Sequence, residues 1–536
     1  MNKKDEKDEK PDWLKTKGYL HFSQQVNTRE NWKKVYGIVT NKEYIKSHAF
    51  YPLLHVNIKN RRYKRSPKGD HKGHNYVDKH GVKRKNTKVR PIHYANHLDT
   101  LIFAYYASEL QKRYNEVLET EKGLDDLITA YRKIEIIPGE KKGKSTIHFA
   151  HEVFQEINRR VQEKGNAVAI AFDIKSFFSS MDHNILKQKW CALLNYGKVE
   201  NDICRLPSDH YNVFRATTNF SFIYKDDLRT HKVKNGRRAG FDEKKLAQIR
   251  NKMGFQAFFE SDKEFRKQIK NKNLRIYPNP FKNKEKVSIG IPQGLPISAT
   301  LANLYLIDFD RKALSYLIND LGCFYRRYSD DIVVIGDHLQ IEQICSFVTN
   351  EMKTNKVKIN ESKTEKHLFK KSLSNVHEVS VYKIEENGNL KNNVPFTYLG
   401  FEHYGNKTLI KSANLSKFYR RMIYSTKGKI KRAEKVQEKT LSERRIIFRR
   451  QLDKLYSNID LDKPHRKKQK WKTFYQIDTG EFRIKVKSKD TAFKTNYFSY
   501  VERASKIMNE PAIKNQLRKH KKILSDAIER HSKKKN

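Results

Sequence analysis

Apolar residues along this 536-residue chain fall into a few patterns sharp enough to predict elements. Phe324-Tyr325 and Ile332-Val333-Val334-Ile335 flank the polar stretch Tyr328-Ser329-Asp330-Asp331, and Gly336 closes the second run. Aromatic and β-branched flanks around a short polar pair predict a β-hairpin with the aspartates at its tip. Ala167 to Phe172 is an unbroken apolar run of the length of a buried strand, and Asp173 stands at its end. The segment from Ile174 through Lys175, Ser176, Phe177 and Phe178 to Met181 reads as a turn and the start of a helix. Farther on, Gly290-Ile291-Pro292-Gln293-Gly294-Leu295-Pro296 is a turn fixed by glycines and prolines. A helix follows, with Ser298 and Thr300 near its start, in which Ile297, Leu301, Leu304, Tyr305 and Phe309 recur as one face.

These elements carry the candidate chemistry. Adjacent carboxylates on a hairpin tip repel each other unless a cation sits beside them. Mg²⁺ takes hard oxygen ligands and few of them from protein, so Asp330 and Asp331 are candidate ligands. An Asp-Asp pair alone says little, and Asp125-Asp126 reads as a solvated helix start. Asp173 changes the picture. Two strands that each deliver an aspartate to one end of a sheet can build a two-metal site, with ions about 3.5–4 Å apart. The helix entered through the Gly/Pro turn presents free N–H groups suited to phosphate, and the Gln293 amide would touch a base or sugar.

In order and kind, these segments resemble motifs A, B and C of the reverse transcriptases. Asp173 falls on the motif A aspartate, Gln293-Gly294 on motif B, and Tyr328 to Asp331 on the Tyr-x-Asp-Asp box. Arg90-Pro91-Ile92 is similar to the fingers segment that holds the incoming triphosphate, with Lys88 beside it. Asn360 to Thr364, with Lys363, resembles motif D, and Tyr398-Leu399-Gly400-Phe401 resembles the primer grip. The resemblance spans about residues 80 to 425. It implies an α+β, right-hand polymerase of fingers, palm and thumb, with an antiparallel palm sheet and a basic helical C-terminal extension. Asp173, Asp330 and Asp331 would hold two Mg²⁺ ions. Lys88, Arg90, Gln293, Gly294 and the Ser176-Phe177-Phe178 segment would bind the nucleotide. Tyr328 would support the primer end, and Lys363 would protonate departing pyrophosphate. Phe178 takes the place of the side chain that meets the sugar C2′ in this family, so dNTPs are expected over NTPs.

Composition agrees with a polyanion partner. Lys and Arg number 111 against 61 Asp and Glu, a net charge of +50. Such an excess repels itself in a lone globule. From Lys411 to Asn536 there are 37 basic and 13 acidic residues, with Phe418, Tyr419, Tyr424, Phe448, Tyr456, Trp471, Phe474 and Tyr475 interleaved. Cations for phosphates and flat side chains for bases describe an RNA or single-strand surface. Four cysteines without Cys-x-x-Cys spacing imply neither a zinc module nor a disulfide framework. With no apolar signal core and no membrane span, a cytoplasmic protein is expected.

The expected organisation is an N-terminal extension (1–55), fingers (56–165), a first palm segment (166–195), an insertion (196–285), a second palm segment (286–405), a thumb (406–475) and a basic extension (476–536). The fingers hold a basic loop, Lys64 to His74, whose His71 and His74 read as solvated. The insertion carries Lys232 to Arg238 and the aromatics Phe255, Phe258 and Phe259. It would bind RNA or a second subunit, either another protein or another copy of the chain. The chain has no retron Val-Thr-Gly thumb motif, intron-type endonuclease or RNase H cluster. It therefore resembles the unknown-group, defence-associated reverse transcriptases of bacteria, which act with a non-coding RNA against phage. The expected partners are an RNA template (a dedicated non-coding RNA), a DNA product and dNTPs, without membrane. A retron-like or intron-derived enzyme, and a non-catalytic RNA-binding scaffold, stay open as alternatives.

Overall fold

The computed structural model describes all residues except 1–8, 29–30, 66–71, 79, 141, 195–204, 231–232, 235–236, 239, 372–377, 441–451, 453–454, 457–467, 477–480, 490–495 and 533–536. His71, Lys232, Asn235, Gly236 and Phe448 lie outside the described residues, as do the side chains of Lys64, Arg65, Lys72, Val233, Lys234, Arg237, Arg238, Trp471, Phe474 and Tyr475. The chain divides into two compact units. The first comprises Met1–Arg132, Phe172–Val334 and Glu342–Thr364, and the second Lys133–Ala171, Ile335–Ile341 and Glu365–Asn536.

In the first unit, β1 (Leu53–Arg61) pairs antiparallel with β2 (Thr87–Tyr94), with Ile58 opposite Arg90 and Asn60 opposite Lys88. Alternation along β2 therefore puts Lys88, Arg90 and Ile92 on one side of the strand. Helix α1 (His97–Thr120) follows, opened by Asn96, whose side chain accepts the N–H of His97. Strand β3 (Asn166–Asp173) brings its last two residues into this unit. β4 (Ser221–Tyr224) adds in parallel to β1, and β5 (Tyr277–Pro278) adds antiparallel to β4, giving the order β5-β4-β1-β2.

The described strands of segment 196–285, β4 and β5, thus belong to the sheet begun by residues 53–94. The segment's Phe258, Phe259 and Phe265 are buried with Ile223, Phe22 and Leu54 in one core cluster. Burying aromatic side chains of this size is among the larger single contributions a core can receive. These rings are therefore packing, and what the segment offers a partner is its polar surface. The His74 Nδ1–H donates to the Arg62 carbonyl at 3.0 Å. Cys323 and Cys345 are free thiols.

The helix after the Gly/Pro turn is α2 (Pro296–Tyr305), with proline at its first position, where its missing N–H costs nothing. Ile297, Leu301, Leu304 and Tyr305 are all buried, as the periodicity predicts, and Phe309 is buried in the next short helix, Ile307–Ala313. β6 (Phe324–Tyr328) and β7 (Asp331–Gly336) flank a two-residue turn at Ser329-Asp330.

In the second unit, residues 166–171 of β3 pair antiparallel with β8 (Glu365–Lys371), which pairs with β9 (Val379–Ile384), which pairs with β10 (Leu390–Asn392). β11 (Phe396–Tyr398) and β12 (Phe401–His403) form a hairpin closed by Leu399 and Gly400, both with positive φ (42° and 92°). A two-residue loop with two positive φ values matches the twist of its strands. β13 (Thr408–Ile410) extends this sheet, and the long helix α3 (Ser412–Thr440) follows. The region beyond is helical at its end, where α4 (Tyr497–Ile507) lies. A β-hairpin, Lys468–Gln476 with Glu481–Lys489, precedes that helix and was not foreseen. Among the described residues no helix is long and apolar enough to cross a membrane.

Candidate active site

Asp173 ends β3 because the chain is tied on both sides there. The Ile174 N–H donates to the Asp330 carbonyl (3.3 Å), the Asn360 N–H donates to the Asp173 carbonyl (2.8 Å), and the Lys175 N–H donates to the Lys358 carbonyl (2.8 Å). These bonds stitch the end of the apolar strand between the Ser329-Asp330 turn and the segment that resembles motif D. At Asp173 Oδ2 two donors converge: Asn360 Nδ2 at 3.1 Å and the ammonium of Lys363.

Asp330 is held largely away from water. Burial is the main reason its carboxyl sits above the ordinary carboxylate range. Its own backbone N–H opposes that shift, Asp173 adds to it, and Lys88 and Lys363 counter it. The ammonium of Lys88 is pushed down, first by burial and then by Arg90, Arg62 and Lys363, while Asp173 supports it. Two carboxylates and four cationic side chains thus share one electrostatic neighbourhood. Asp331 is exposed, and its charge is felt by the Tyr328 phenol, which burial and Tyr131 also push up. The structure therefore brings Asp173 and Asp330 together with Lys363, Lys88 and Arg90, and leaves Asp331 at the rim.

Among the described residues no group of three or more His, Cys, Asp or Glu side chains is arranged as a metal site. The donor set at Asp173 and Asp330 nevertheless fits a hard divalent cation. Both are carboxylates, one is desolvated beside the other, and an ammonium already occupies the position that offsets their charge.

The Gly290–Gly294 turn is locked to the same strand end and to β2. The Gly290 N–H donates to the Met181 carbonyl (2.7 Å), the Ile291 N–H to the Phe178 carbonyl (2.8 Å), and the His93 N–H to the Gln293 carbonyl (2.9 Å). A Cβ on Gly290 would stand 2.6 Å from the Ser179 carbonyl oxygen, and one on Gly294 would stand 2.6 Å from that of His93. Only glycine fits either place, and both have positive φ (73° and 120°). Phe178 is half-buried at this junction, Ser176 is exposed in the left-handed region (φ 54°), and Phe177 is buried in contact with Tyr305. Ring contact with the core leaves the backbone of Phe177 as its contribution to a nucleotide site. Tyr398 and Phe401 are buried in the β11–β12 hairpin of the second unit, and Leu399 and Gly400 form its turn.

The residues that sequence reasoning missed lie under the hairpin. Arg327 is completely buried, and its Nε stands 2.8 Å from Asp310 Oδ1, which also accepts the Tyr325 hydroxyl at 2.7 Å. Arg327 Nη1 reaches Asn303 Oδ1 and the Ser329 carbonyl, each at 3.3 Å. Its own carbonyl accepts the Thr129 N–H at 3.0 Å. Ser329 has φ 60°, a left-handed conformation that costs a non-glycine residue on the order of 1–3 kcal/mol unless its surroundings impose it. The guanidinium bond to its carbonyl is one such constraint. The signal was present in the sequence as two arginines inside an apolar strand, since a charge there must find a partner.

Residues 238–403 match the family model described as reverse transcriptase (RNA-dependent DNA polymerase). The chain carries a reverse-transcriptase domain. That is the domain of RNA-directed DNA polymerases, which are nucleotidyltransferases, and the fold is that of a right-hand polymerase. No curated protein matches the chain. Among solved structures it is similar to apo telomerase from Candida Tropicalis truncated from its C-terminal domain, at 11% identity and TM-score 0.36, covering 66% of this chain and 57% of that one. Telomerase from Candida albicans in complex with a TWJ fragment of telomeric RNA matches at 10% identity and TM-score 0.34, covering 74% and 54%. The Sicinivirus 3Dpol RNA dependent RNA polymerase matches at 9% identity and TM-score 0.30, covering 74% and 59%. The chain thus spans less than two thirds of the length of each of these three proteins.

Two outcomes follow from the charges. Replacing Arg327 with alanine strands Asp310 as an unpaired buried charge and should cost about 3–5 kcal/mol of stability, read as a lower urea midpoint. A loss under about 1 kcal/mol would show that the pair does not hold the turn. Asp330 has a folded pKa above its unfolded value of about 3.9. Its contribution to stability is therefore present in full below that unfolded value and is lost as pH rises through the raised folded one. Asp330→Asn should then melt higher than the parent at pH 7 without divalent ions, and the gain from added Mg²⁺ should shrink. Equal Mg²⁺ stabilisation of both proteins would remove Asp330 from the ligand set.

Proposed function

We propose that this chain is an RNA-directed DNA polymerase that copies an associated non-coding RNA into cDNA by two-metal nucleotidyl transfer, as part of bacterial defence against phage. The observation that carries the catalytic reading is the meeting of Asp173, Asp330 and Lys363 at the end of β3, opposite Lys88 and Arg90. Asp173 and Asp330, with Asp331 at the rim, would hold Mg²⁺. When bound, Mg²⁺ supplies charge that favours the ionised primer 3′-hydroxyl and offsets negative charge gathering on the transferred phosphoryl group.

The chain's own residues do the rest. Lys88 and Arg90 bind the β- and γ-phosphates; burial first and then the neighbouring cations Arg90, Arg62 and Lys363 push the Lys88 pKa down, and a polyanion would offset those cations. Lys363, which pairs with Asp173 here, would give a proton to departing pyrophosphate. Gln293 and Gly294 lie against β2 and present backbone and amide to base and sugar. Phe178 excludes a 2′-hydroxyl by bulk and offers it no hydrogen bond. Tyr328 supports the primer end, and Tyr398 to Phe401 grip its backbone. The +50 charge favours a persistently held RNA, and the resemblance to defence-associated reverse transcriptases supports the antiphage role.

Asp330→Asn combined with Asp331→Asn should lower Mg²⁺-dependent dNTP incorporation by at least about a thousandfold, equivalent to about 4 kcal/mol of transition-state stabilisation. The same double variant should lose phage protection in plating assays. Protection that survives it would favour a non-catalytic RNA-binding scaffold instead. Sequencing RNA and cDNA that co-purify from the host should give one dominant non-coding RNA, and a random sample of cellular RNA would remove the dedicated template.

Phe178→Ala should reduce the preference for dNTP over matched NTP by at least about tenfold, since the discrimination is steric. An unchanged ratio in single-nucleotide incorporation would move the sugar gate to another residue.

A further inference from the structure

The second unit contains a cavity of about 760 Å³ that none of the catalytic roles above uses. It lies in the size range of small-molecule sites, about 300–1,000 Å³. Lys417, Phe418 and Arg421 line it from one face of α3, spaced as helical neighbours, while Tyr497 and Tyr500 line it from α4 and Tyr456 closes a further side. Phe418 stacks on Tyr497 with ring centres 4.3 Å apart and planes 16° from parallel. The Tyr456 hydroxyl donates to the Arg421 carbonyl at 3.4 Å, which fixes that ring against the helix.

Three observations distinguish this cavity from ordinary core. The Tyr497 hydroxyl is buried with no hydrogen-bond partner among the described residues, and buried hydroxyls nearly always have one. Lys417 and Arg421 are exposed and make no ion pair among the described residues. No carboxylate lines the cavity among those residues, so nothing there offsets the two cations. Ile410, at the end of β13, also lines it, one strand away from the Leu399-Gly400 turn.

Flat rings and two exposed cations that make no ion pair among the described residues match one chemical object. We infer that the cavity takes a single unpaired nucleotide of a bound single strand, its base against Tyr497 and Tyr500 and its phosphate at Lys417 and Arg421. Stacking of this kind tolerates any base, so the site holds a strand without reading its sequence. The strand is either an RNA or the DNA made on it, both of which present the same base and phosphate. The inference needs single-strand binding and does not need polymerase activity.

The test uses the full-length protein with two probes, a single-stranded RNA carrying 4-thiouridine and a single-stranded DNA carrying 4-thiothymidine. After irradiation, adducts are mapped by peptide mass spectrometry. Adducts are expected on Tyr456, Tyr497 or Tyr500, with the RNA probe, the DNA probe or both, and the arm that reacts names the source. Lys417→Ala with Arg421→Ala replaces exposed side chains, so the melting temperature should stay unchanged. Affinity should fall about tenfold, and the slope of log K against log salt should drop by about 1.4, the value for two lost phosphate contacts on a single strand. Adducts confined to other residues, or an unchanged affinity and salt slope, would overturn the inference. Asp330→Asn should keep the adducts, so failure of the polymerase reading and failure of this one show separately.

Discussion

A guanidinium sealed from water beside a carboxylate is the constraint on which the catalytic end of the first unit depends. Arg327 and Asp310 are both inaccessible to solvent, so each pays a desolvation cost that only the other, with Tyr325 and Asn303, offsets. In return the guanidinium reaches past its partner to the Ser329 carbonyl and holds that residue in a conformation it would not adopt alone. Asp330 then leaves the turn at a fixed angle, and its carbonyl accepts the first N–H after Asp173. A chain of bonds thus runs from a buried ion pair to the relative placing of two carboxylates. Such a network is costly when half satisfied and rigid when complete, which suits a site that must hold charges close together.

Close charges also explain why the cations stand where they do. Asp173 raises the pKa of Asp330, so the pair would protonate or spread apart without compensation. Lys363 supplies part of that compensation by pairing with Asp173. Arg90 and Lys363 each repel Lys88, and under the proposed function a triphosphate would relieve that repulsion as a divalent ion would relieve the carboxylates. Like charges crowd each half of the site, and the proposed metal and nucleotide would be complementary to them. Charge imbalance held by a rigid frame is a way of storing affinity for ligands of the opposite sign.

The sequence made the carboxylates, the Gly/Pro turn and the apolar face of α2 legible, because each is a local pattern with one physical reading. Asp173 ends an apolar run, Gly290 and Gly294 sit where no Cβ fits, and Leu301 and Leu304 repeat at helical spacing. What escaped was set by contacts between distant residues. Arg327 stands in an apolar strand as a charge that needs a partner, but no local pattern names Asp310, seventeen positions earlier, as that partner. Phe258 and Phe259 read equally as a binding surface or a core, and only Phe22 and Leu54, some two hundred residues away, decide for core. The hairpin at 468–489 differs, since Phe482, Ile484 and Val486 alternate with Arg483, Lys485 and Lys487 and so did carry a strand signal within the basic stretch.

The excess charge has a structural consequence beyond binding. Much of the ion pairing among the described residues is used locally, as in Arg159 with Glu156 and Glu163 or Arg229 with Asp226, and such exposed pairs add little to stability. Acidic partners are too few to neutralise 111 basic side chains, so most of the surplus faces solvent and its mutual repulsion opposes compaction. A bound polyanion lowers that repulsion by mass action and should make the folded chain more stable with RNA than without it. Stability and substrate binding are therefore coupled through charge. The coupling weakens with ionic strength, whereas the ion pair beneath the catalytic turn, being buried, is screened much less.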